Sequence, residues 1–273
     1  MANPLKNAKN VLVLITGASR GIGYELALQF GQIFAGTRFQ FFLLARSRGG
    51  LEEVAEKICK IKNASSGNVE IVVADLSTPE CSSAFENIQQ KIKELETKNK
   101  FDLCLIIHNA GTVGDLTKKS SELNEIEQWQ NYLQTNLLST ILLNNLIYSV
   151  ICKEEKKIFI INVTSLLSVK PYPSFTQYSV GKAAREAYFR AFAIEHPNCR
   201  VLSYSPGPVD TTMHSEVAEK TYDAGVREVF GKKRHDSNLH RKLLTPSETV
   251  QRLIHLLEKN NFENGSRVDY FDK

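Results

Sequence analysis

Six short apolar runs, each closed by glycine or a polar residue, constrain the fold of this chain more than any other feature. They are residues 11–15 (VLVLI), 39–45, 69–74, 101–107, 158–163 and 200–204. Residues 11–15 and 158–163, wholly apolar but for Asn162, read as buried strands, as in a parallel sheet covered by helices, and the other four, mostly apolar, read as further strands. Between them, residues 24–34, 51–61, 84–95, 127–150 and 178–194 carry the helical period. Thr245-Pro246-Ser247-Glu248 is a helix start leading into 250–259. Strands alternating with helices predict an α/β fold. Ligands of an open parallel sheet bind along the carboxyl ends of its strands. Gly17, Arg46, Asp75, Asn109, Ser165 and Gly207 all stand at or just beyond such ends.

The first run leads into Thr16-Gly17-Ala18-Ser19-Arg20-Gly21-Ile22-Gly23 and then a helical pattern. As an isolated string, G-x-x-x-G-x-G fits an ordinary tight turn. Between a strand and a helix it fits a dinucleotide site, where glycines admit close backbone approach and the helix N-terminus favours a pyrophosphate. The second run ends in Ala45-Arg46-Ser47. An NAD site places a carboxylate there for the ribose 2′-hydroxyl; an arginine suits a 2′-phosphate. Arg20 or Arg46 alone reads equally as a solvated surface cation, but together they favour NADP over NAD. Asp75-Leu76 offers a carboxylate either to an adenine amino group or to the cap of the next helix. The small residues in His108-Asn109-Ala110-Gly111 let backbone pass close to a cofactor ribose, with His108 structural. Asn136 interrupts a long apolar helical pattern. It either bonds backbone or water near the site or faces solvent.

Residues 158–185 carry the chemistry. The fifth run ends at Thr164-Ser165, and after a proline-containing loop Tyr178 and Lys182 fall four apart on a predicted helix, hence on one face. A phenol titrates near 10 on its own, and a lysine cation beside it is expected to lower that value. Such a phenol can protonate a carbonyl oxygen, and a serine hydroxyl at the neighbouring strand end can hold the same oxygen. Alone, the Tyr–Lys pair fits a surface helix as well.

Composition sets bounds. The chain has 273 residues, 42% hydrophobic and 23% charged, with a net charge of +4. That suits one domain, 1–273, with an anionic cofactor, and demands no nucleic-acid partner. Five widely spaced cysteines with no CxxC read as free thiols in a reducing compartment. The run at 11–15 is too short for a signal or membrane segment. Residues 213–243 are polar and charged. They read as a lid over the substrate or as a solvated loop, with no metal-ligand geometry and no aromatic interleaving in the basic stretch 232–242. Residues 267–272 alternate and read as a last strand.

Taken together, Thr16–Gly23 (TGASRGIG), Asn109–Gly111, Asn136, Ser165 and Tyr178-Ser179-Val180-Gly181-Lys182 are similar in order and spacing to the short-chain dehydrogenase/reductase family. The resemblance implies a doubly wound, Rossmann-type sheet of about seven strands. It implies Tyr178 as acid–base, Lys182 tuning it and binding ribose, Ser165 on the carbonyl and Asn136 in a water relay. It also implies that the glycine turn, Arg46, Ser47, Asp75, Leu76, Asn109–Gly111 and Val209, Asp210, Thr211, Thr212, Met213 and His214 bind NADPH. The stretches 108–118, 178–189, 206–213 and 265–272 resemble the pterin-reducing members more narrowly. That resemblance implies a cytosolic homodimer reducing pterin side-chain carbonyls in the last steps to tetrahydrobiopterin. Asp269 would take the pterin's amino edge, and Leu166 and Gly207 would line the pocket. The alternatives are a carbonyl or diketone reductase with a non-pterin substrate, or a catalytically silent NADPH-binding regulator, against which intact Ser165, Tyr178 and Lys182 argue.

Overall fold

The computed structural model describes residues 3–61, 67–98, 100–152, 156–231 and 243–272. The six apolar runs form strands β1 (Asn10–Thr16), β2 (Arg38–Ala45), β3 (Gly67–Val73), β4 (Leu103–His108), β5 (Lys157–Val163) and β6 (Cys199–Ser205). A short β7 (Arg267–Asp269) completes a seven-stranded sheet in the order β3-β2-β1-β4-β5-β6-β7. Every pairing is parallel. The order reverses between β1 and β4, so the crevice there opens at the carboxyl edge.

Alternate strand residues feed two cores, as a period of two demands. Val11, Val13 and Ile15 join α1 (Gly21–Ile33), α2 (Arg48–Cys59) and α9 (Pro246–Lys259) on one face. Leu12 and Leu14 join α3 (Cys81–Lys98), α5 (Ser139–Ile151) and α6 (Thr176–Glu195) on the other. Helix faces follow the expected spacing: Phe85, Ile88 and Ile92 on α3, and Val250, Leu253, Ile254 and Leu257 on α9. The start of α9 is a capping box, with Glu248 N–H donating to Thr245 Oγ1 (3.1 Å) and Thr245 N–H to Glu248 Oε2 (2.8 Å).

Three expectations need correction. The pattern at 127–150 is two helices, α4 (Ile126–Leu133) and α5, joined by a π-helical turn at Gln134–Leu138. The polar stretch after Thr211 forms α7 (Thr212–Lys220) and α8 (Ala224–Gly231), because Val217, Val226 and Phe230 pack against Phe175 and Leu116. The basic run 232–242 lies outside the described residues. The last strand stops at Asp269, where the chain turns so that Asp272 N–H donates to Asp269 O (3.0 Å). No helix among the described residues is long and apolar enough to cross a membrane.

Candidate active site

A cleft of about 1200 Å³ runs along the carboxyl edge of the sheet. At its β1 end, Gly17 and Gly21 adopt left-handed φ values of +69° and +58°. A side chain on Gly17 would sit 2.9 Å from Asn109 Nδ2, and one on Gly23 only 2.2 Å from Gly17 O. Asn109 buttresses this turn: its Nδ2 donates to Thr16 O (3.0 Å) and Gly17 O (3.2 Å). The backbone N–H groups of Asn109 and Ala110 both donate to Thr16 Oγ1 at 3.0 Å. Helix α1 starts here with no side-chain cap and no acidic residue in its first turn, leaving its positive end open to an anion.

Arg46 lies beyond β2 and Asp75 beyond β3. Ser77 holds the Asp75 carboxyl below the ordinary range through backbone and side-chain bonds, and the Arg46 charge adds to this. Asp75 Oδ1 therefore accepts from Ser77 N and Oγ (2.9 and 2.8 Å) in a local turn. Ser47 Oγ accepts from Gly50 N (3.3 Å) as the cap of α2, which leaves its own hydrogen to donate elsewhere.

The π-helical turn explains Asn136. Asn136 sits within it, and its Nδ2 donates to Tyr132 O (2.9 Å). Its Oδ1 accepts from Thr112 N (2.7 Å). The side chain is buried 3.0 Å from where a Gly111 Cβ would stand, so it supports the β4 exit from behind.

Ser165, Tyr178 and Lys182 line the middle of the cleft. The Ser165 hydroxyl, which lowers the Tyr178 phenol, accepts from Leu167 N (3.2 Å). Lys182 Nζ lies 5.5 Å from the Tyr178 ring centre and donates to Val163 O (2.7 Å). The expected lowering of Tyr178 by Lys182 is not what the geometry gives. Burial pushes Tyr178 up, opposed by the Ser165 hydroxyl and the charge of Arg185. Burial, with Arg185 beside it, also holds Lys182 well below the ordinary lysine range.

At the β6 end, Gly207 turns with φ +73°, and Leu166, Gly207 and Asp269 line the cleft. Asp269 Oδ2 accepts from Ser205 Oγ (2.7 Å) and Arg267 Nη2 (3.1 Å), and its Oδ1 from Phe271 N (3.2 Å). Among the residues singled out from sequence, Ser19, Arg20, Gly21, Ile22, Arg46, Ser47, Leu76, Gly111, Val209, Thr211, Thr212, Met213 and His214 face the cleft. Ala18, Gly23, Asn136 and Asp210 do not.

Sequence reading missed Glu186 and Arg267. Glu186 is buried, and one of its oxygens accepts from Thr164 Oγ1 (2.5 Å) and Ser168 Oγ (2.6 Å), straddling Ser165. Arg267 Nε lies 3.5 Å from that oxygen, which links the serine turn to Asp269. The available signal was position: Glu186 falls two turns after Tyr178 on the face that Tyr178 and Lys182 bury. Aromatic residues Tyr172, Phe175, Phe230 and Phe271 complete the wall.

Comparisons with known proteins agree with this arrangement. Residues 11–221 match the family model for short chain dehydrogenase. The chain is 31% identical over 260 residues to sepiapterin reductase of Rattus norvegicus, covering 95% of each chain. It is 25% identical over 263 residues to benzil reductase ((S)-benzoin forming) of Bacillus subtilis, covering 94% of this chain and 97% of that one. The fold is shared with L-sorbose reductase from Gluconobacter frateurii, solved with NADPH and L-sorbose, at a TM-score of 0.76 and 22% identity, covering 97% of this chain and 96% of that one. With the glycine turn, the buttressing asparagine and the Ser–Tyr–Lys set in one cleft, and a family model spanning most of its length, the chain belongs to the short-chain dehydrogenase/reductase family.

Proposed function

We propose that the chain reduces side-chain carbonyls of pterins such as sepiapterin and 6-pyruvoyl-tetrahydropterin, using NADPH, in the final steps of tetrahydrobiopterin formation. The observation that carries the reading is Asp269, a carboxylate inside the same cleft as Ser165, Tyr178 and Lys182. One carboxylate can accept two parallel N–H bonds from a 2-amino-pyrimidinone edge.

The cleft fits a dinucleotide. The Gly17–Gly23 turn leaves room that a side chain at Gly17 or Gly23 would fill, α1 presents an open positive end, and Arg46 and Arg20 line the same cleft, which supports a ribose 2′-phosphate as ligand. Lys182, Asn109 and Gly111 would border the nicotinamide ribose, and Val209–His214 the far side. Bound there, the reduced cofactor supplies the hydride. The chain's own residues do the rest. Ser165 donates to the carbonyl oxygen and orients it. Burial keeps the Tyr178 phenol protonated at neutral pH, the state needed to hand its proton to that oxygen as it becomes an alcohol. Asp269 fixes the far edge of the substrate, and α7 and α8 cover it.

The reading includes one domain over 1–273, a cytosolic location and a homodimer. Leu138, Leu142 and Val180, apolar and exposed near α5 and on α6, support the last of these. A second reading, reduction of an aryl diketone, is favoured by the aromatic wall of the cleft and by the benzil reductase relative. The test is NADPH oxidation with sepiapterin beside benzil, with NADH as control. Turnover of sepiapterin with NADPH but not NADH supports the proposal. Turnover of benzil alone refutes the pterin assignment.

A further inference from the structure

Two buried carboxylates, Glu186 and Asp269, are joined by one arginine. Strand β7 is three residues long and pairs with β6 at Ser203–Arg267, Tyr204–Val268 and Ser205–Asp269. Side chains alternate along a strand, so Arg267 and Asp269 share one face of the sheet. Val268 takes the other and packs into the core beneath α1 and α9. The face of Arg267 is the one that α6 covers, which brings the guanidinium to Glu186. Arg267 Nη2 donates to Asp269 Oδ2 (3.1 Å), and its Nε lies 3.5 Å from Glu186 Oε1. That same Glu186 oxygen accepts from Thr164 Oγ1 and Ser168 Oγ, which bracket Ser165 in the chain. The other Glu186 oxygen lies 3.7 Å from Arg190, an exposed side chain whose charge water screens. Arg267 is only 20% exposed, so it is the better-shielded partner of the two. Neither Arg267 nor Glu186 lines the cleft, so each acts on a substrate through the residues it holds.

We propose that Arg267 is a positioning residue that sets substrate selectivity: it ties the Asp269 carboxylate and the Ser165 turn into one bonded unit, so that an amino edge and a carbonyl on the same molecule are received in register. A planar guanidinium presents its N–H groups at fixed angles, which lets one side chain hold two carboxylates in a set relation; a single ammonium does not. With Oδ2 engaged by Arg267 and by Ser205 Oγ (2.7 Å), the plane of the Asp269 carboxylate is fixed. Its Oδ1, which accepts from Phe271 N, keeps a lone pair for a substrate N–H. A substrate that meets only Ser165 and Tyr178 has no use for this link. The inference rests on the pterin reading of Asp269.

The experiment measures kcat and KM for sepiapterin and for benzil at saturating NADPH. The proteins are wild type, Arg267→Met, Arg267→Lys, Glu186→Gln, Asp269→Asn and the Arg267→Met, Asp269→Asn double variant. Methionine keeps much of the side chain's length and removes its charge and fork. Arg267→Met should lower kcat/KM for sepiapterin roughly tenfold, mainly through KM, while benzil stays within about twofold of wild type. Equal losses for both substrates, or none, overturn the proposal. In the double variant the loss for sepiapterin should match that of Asp269→Asn alone, because Arg267 acts through that carboxylate; losses that multiply overturn it. This comparison needs sepiapterin only. Glu186→Gln still offers an oxygen to Thr164 and Ser168 but loses the charge that holds Arg267. Its ratio of kcat/KM for sepiapterin over benzil should therefore fall, and an unchanged ratio overturns the coupling to the serine turn. If Arg267→Met does not fold, because two buried carboxylates lose their cation, Arg267→Lys decides. It keeps the charge and loses the fork: a loss confined to sepiapterin supports the proposal, and an equal loss or none overturns it. A wild type that does not turn over sepiapterin refutes the pterin reading before any variant is compared, and this inference with it. With sepiapterin turned over, the variants judge Arg267 alone.

Discussion

Asp269→Asn separates anchoring from chemistry, and the hydrogen bonds around the carboxylate set the size of the effect. Oδ2 already accepts from Ser205 Oγ and Arg267 Nη2, so both its lone pairs are engaged. Oδ1 accepts only from Phe271 N, leaving one site. Ser205 lines the cleft and Arg267 does not. A substrate presenting two parallel N–H groups therefore gains one new bond at Oδ1 and replaces the Ser205 hydroxyl at Oδ2. That hydroxyl can rotate to donate elsewhere. The net gain is close to a single bond to a charged group, about 1.5–3 kcal/mol. An asparagine side chain keeps the shape but turns an N–H toward the substrate's own N–H and removes the charge. The expected loss in kcat/KM for sepiapterin is roughly ten- to hundredfold, carried mainly by KM. The assay is initial-rate NADPH oxidation with sepiapterin and, in parallel, with benzil, which lacks an amino-pyrimidinone edge. Benzil kinetics should stay within about twofold of wild type if only the anchor is lost. Equal losses for both substrates would mean that the substitution disorders the tail through Arg267 and Phe271. Unchanged sepiapterin kinetics would refute the anchor.

Other expectations follow from single contacts. Gly23→Ala places a Cβ 2.2 Å from Gly17 O and 2.6 Å from Asn109 Nδ2, both fixed parts of the turn, so the turn must shift. NADPH affinity, read by fluorescence, should fall together with the melting temperature, at a cost of about 1–3 kcal/mol. Arg46→Ala should raise KM for NADPH roughly tenfold or more and leave KM for NADH unchanged, because only one of the two carries a 2′-phosphate; equal effects on both cofactors would contradict the assignment. Acid sensitivity should trace to His108, fully buried against Asn144 (3.2 Å) and pushed by burial and by Arg185 to about 3. Its folded pKa lies below the unfolded value of 6.5, so the unfolded state binds the extra proton between the two. Stability from this group is complete above 6.5 and falls by about 1.4 kcal/mol for each pH unit below it, down to about 3. Denaturant melts of His108→Gln should show a flatter pH dependence across that window.

Much of the site was legible in sequence because it depends on backbone needs that only certain residues meet. Gly17 must take a left-handed φ, and Gly23 must yield space to a carbonyl; no other residue type does both, so the turn is written as glycine. Strand ends were legible because an apolar run must stop where the carboxyl edge meets solvent or ligand. Burial of charge was not legible. Arg185 and Glu186 look like the polar face of a surface helix, and their acceptors and donors lie on β4, β5 and the turn after it, far away in sequence. The π-helical turn at 134–138 was hidden for a related reason. Its signal is a polar cluster, Gln134-Thr135-Asn136, and the value of Asn136 depends on Thr112, which lies 24 positions earlier. Helices α7 and α8 were missed because both are short and stand among polar and charged residues. Their Met213, Val217, Val226 and Phe230 pack with Phe175 and Leu116 over the cleft.

The electrostatics of the cleft follow from the sheet itself. A parallel sheet leaves carbonyl groups unpaired where its strands end, and buried carbonyls need donors. At β4 and β5 those carbonyls are His108 O, Ala110 O and Val163 O. The donors come from α6, as Arg185 and Lys182. Neutral donors could satisfy the same oxygens, so the choice of cations is the informative part. It places two basic side chains, Lys182 lining the cleft and Arg185 buried behind it, on the helix face that carries Tyr178. Glu186, one residue on, offsets part of that charge and uses it to hold Thr164 and Ser168 on either side of Ser165. The bonds that dock the helix thus run through the same residues that the proposed function uses or adjoins. Substitutions at Lys182 and Arg185 should lower stability and activity together, whereas Arg46, Ser165 and Asp269 should lose activity with little change in melting temperature. Parallel measurement of both quantities across these five positions tests that division directly. A stable, inactive Arg185→Gln with wild-type melting would break it.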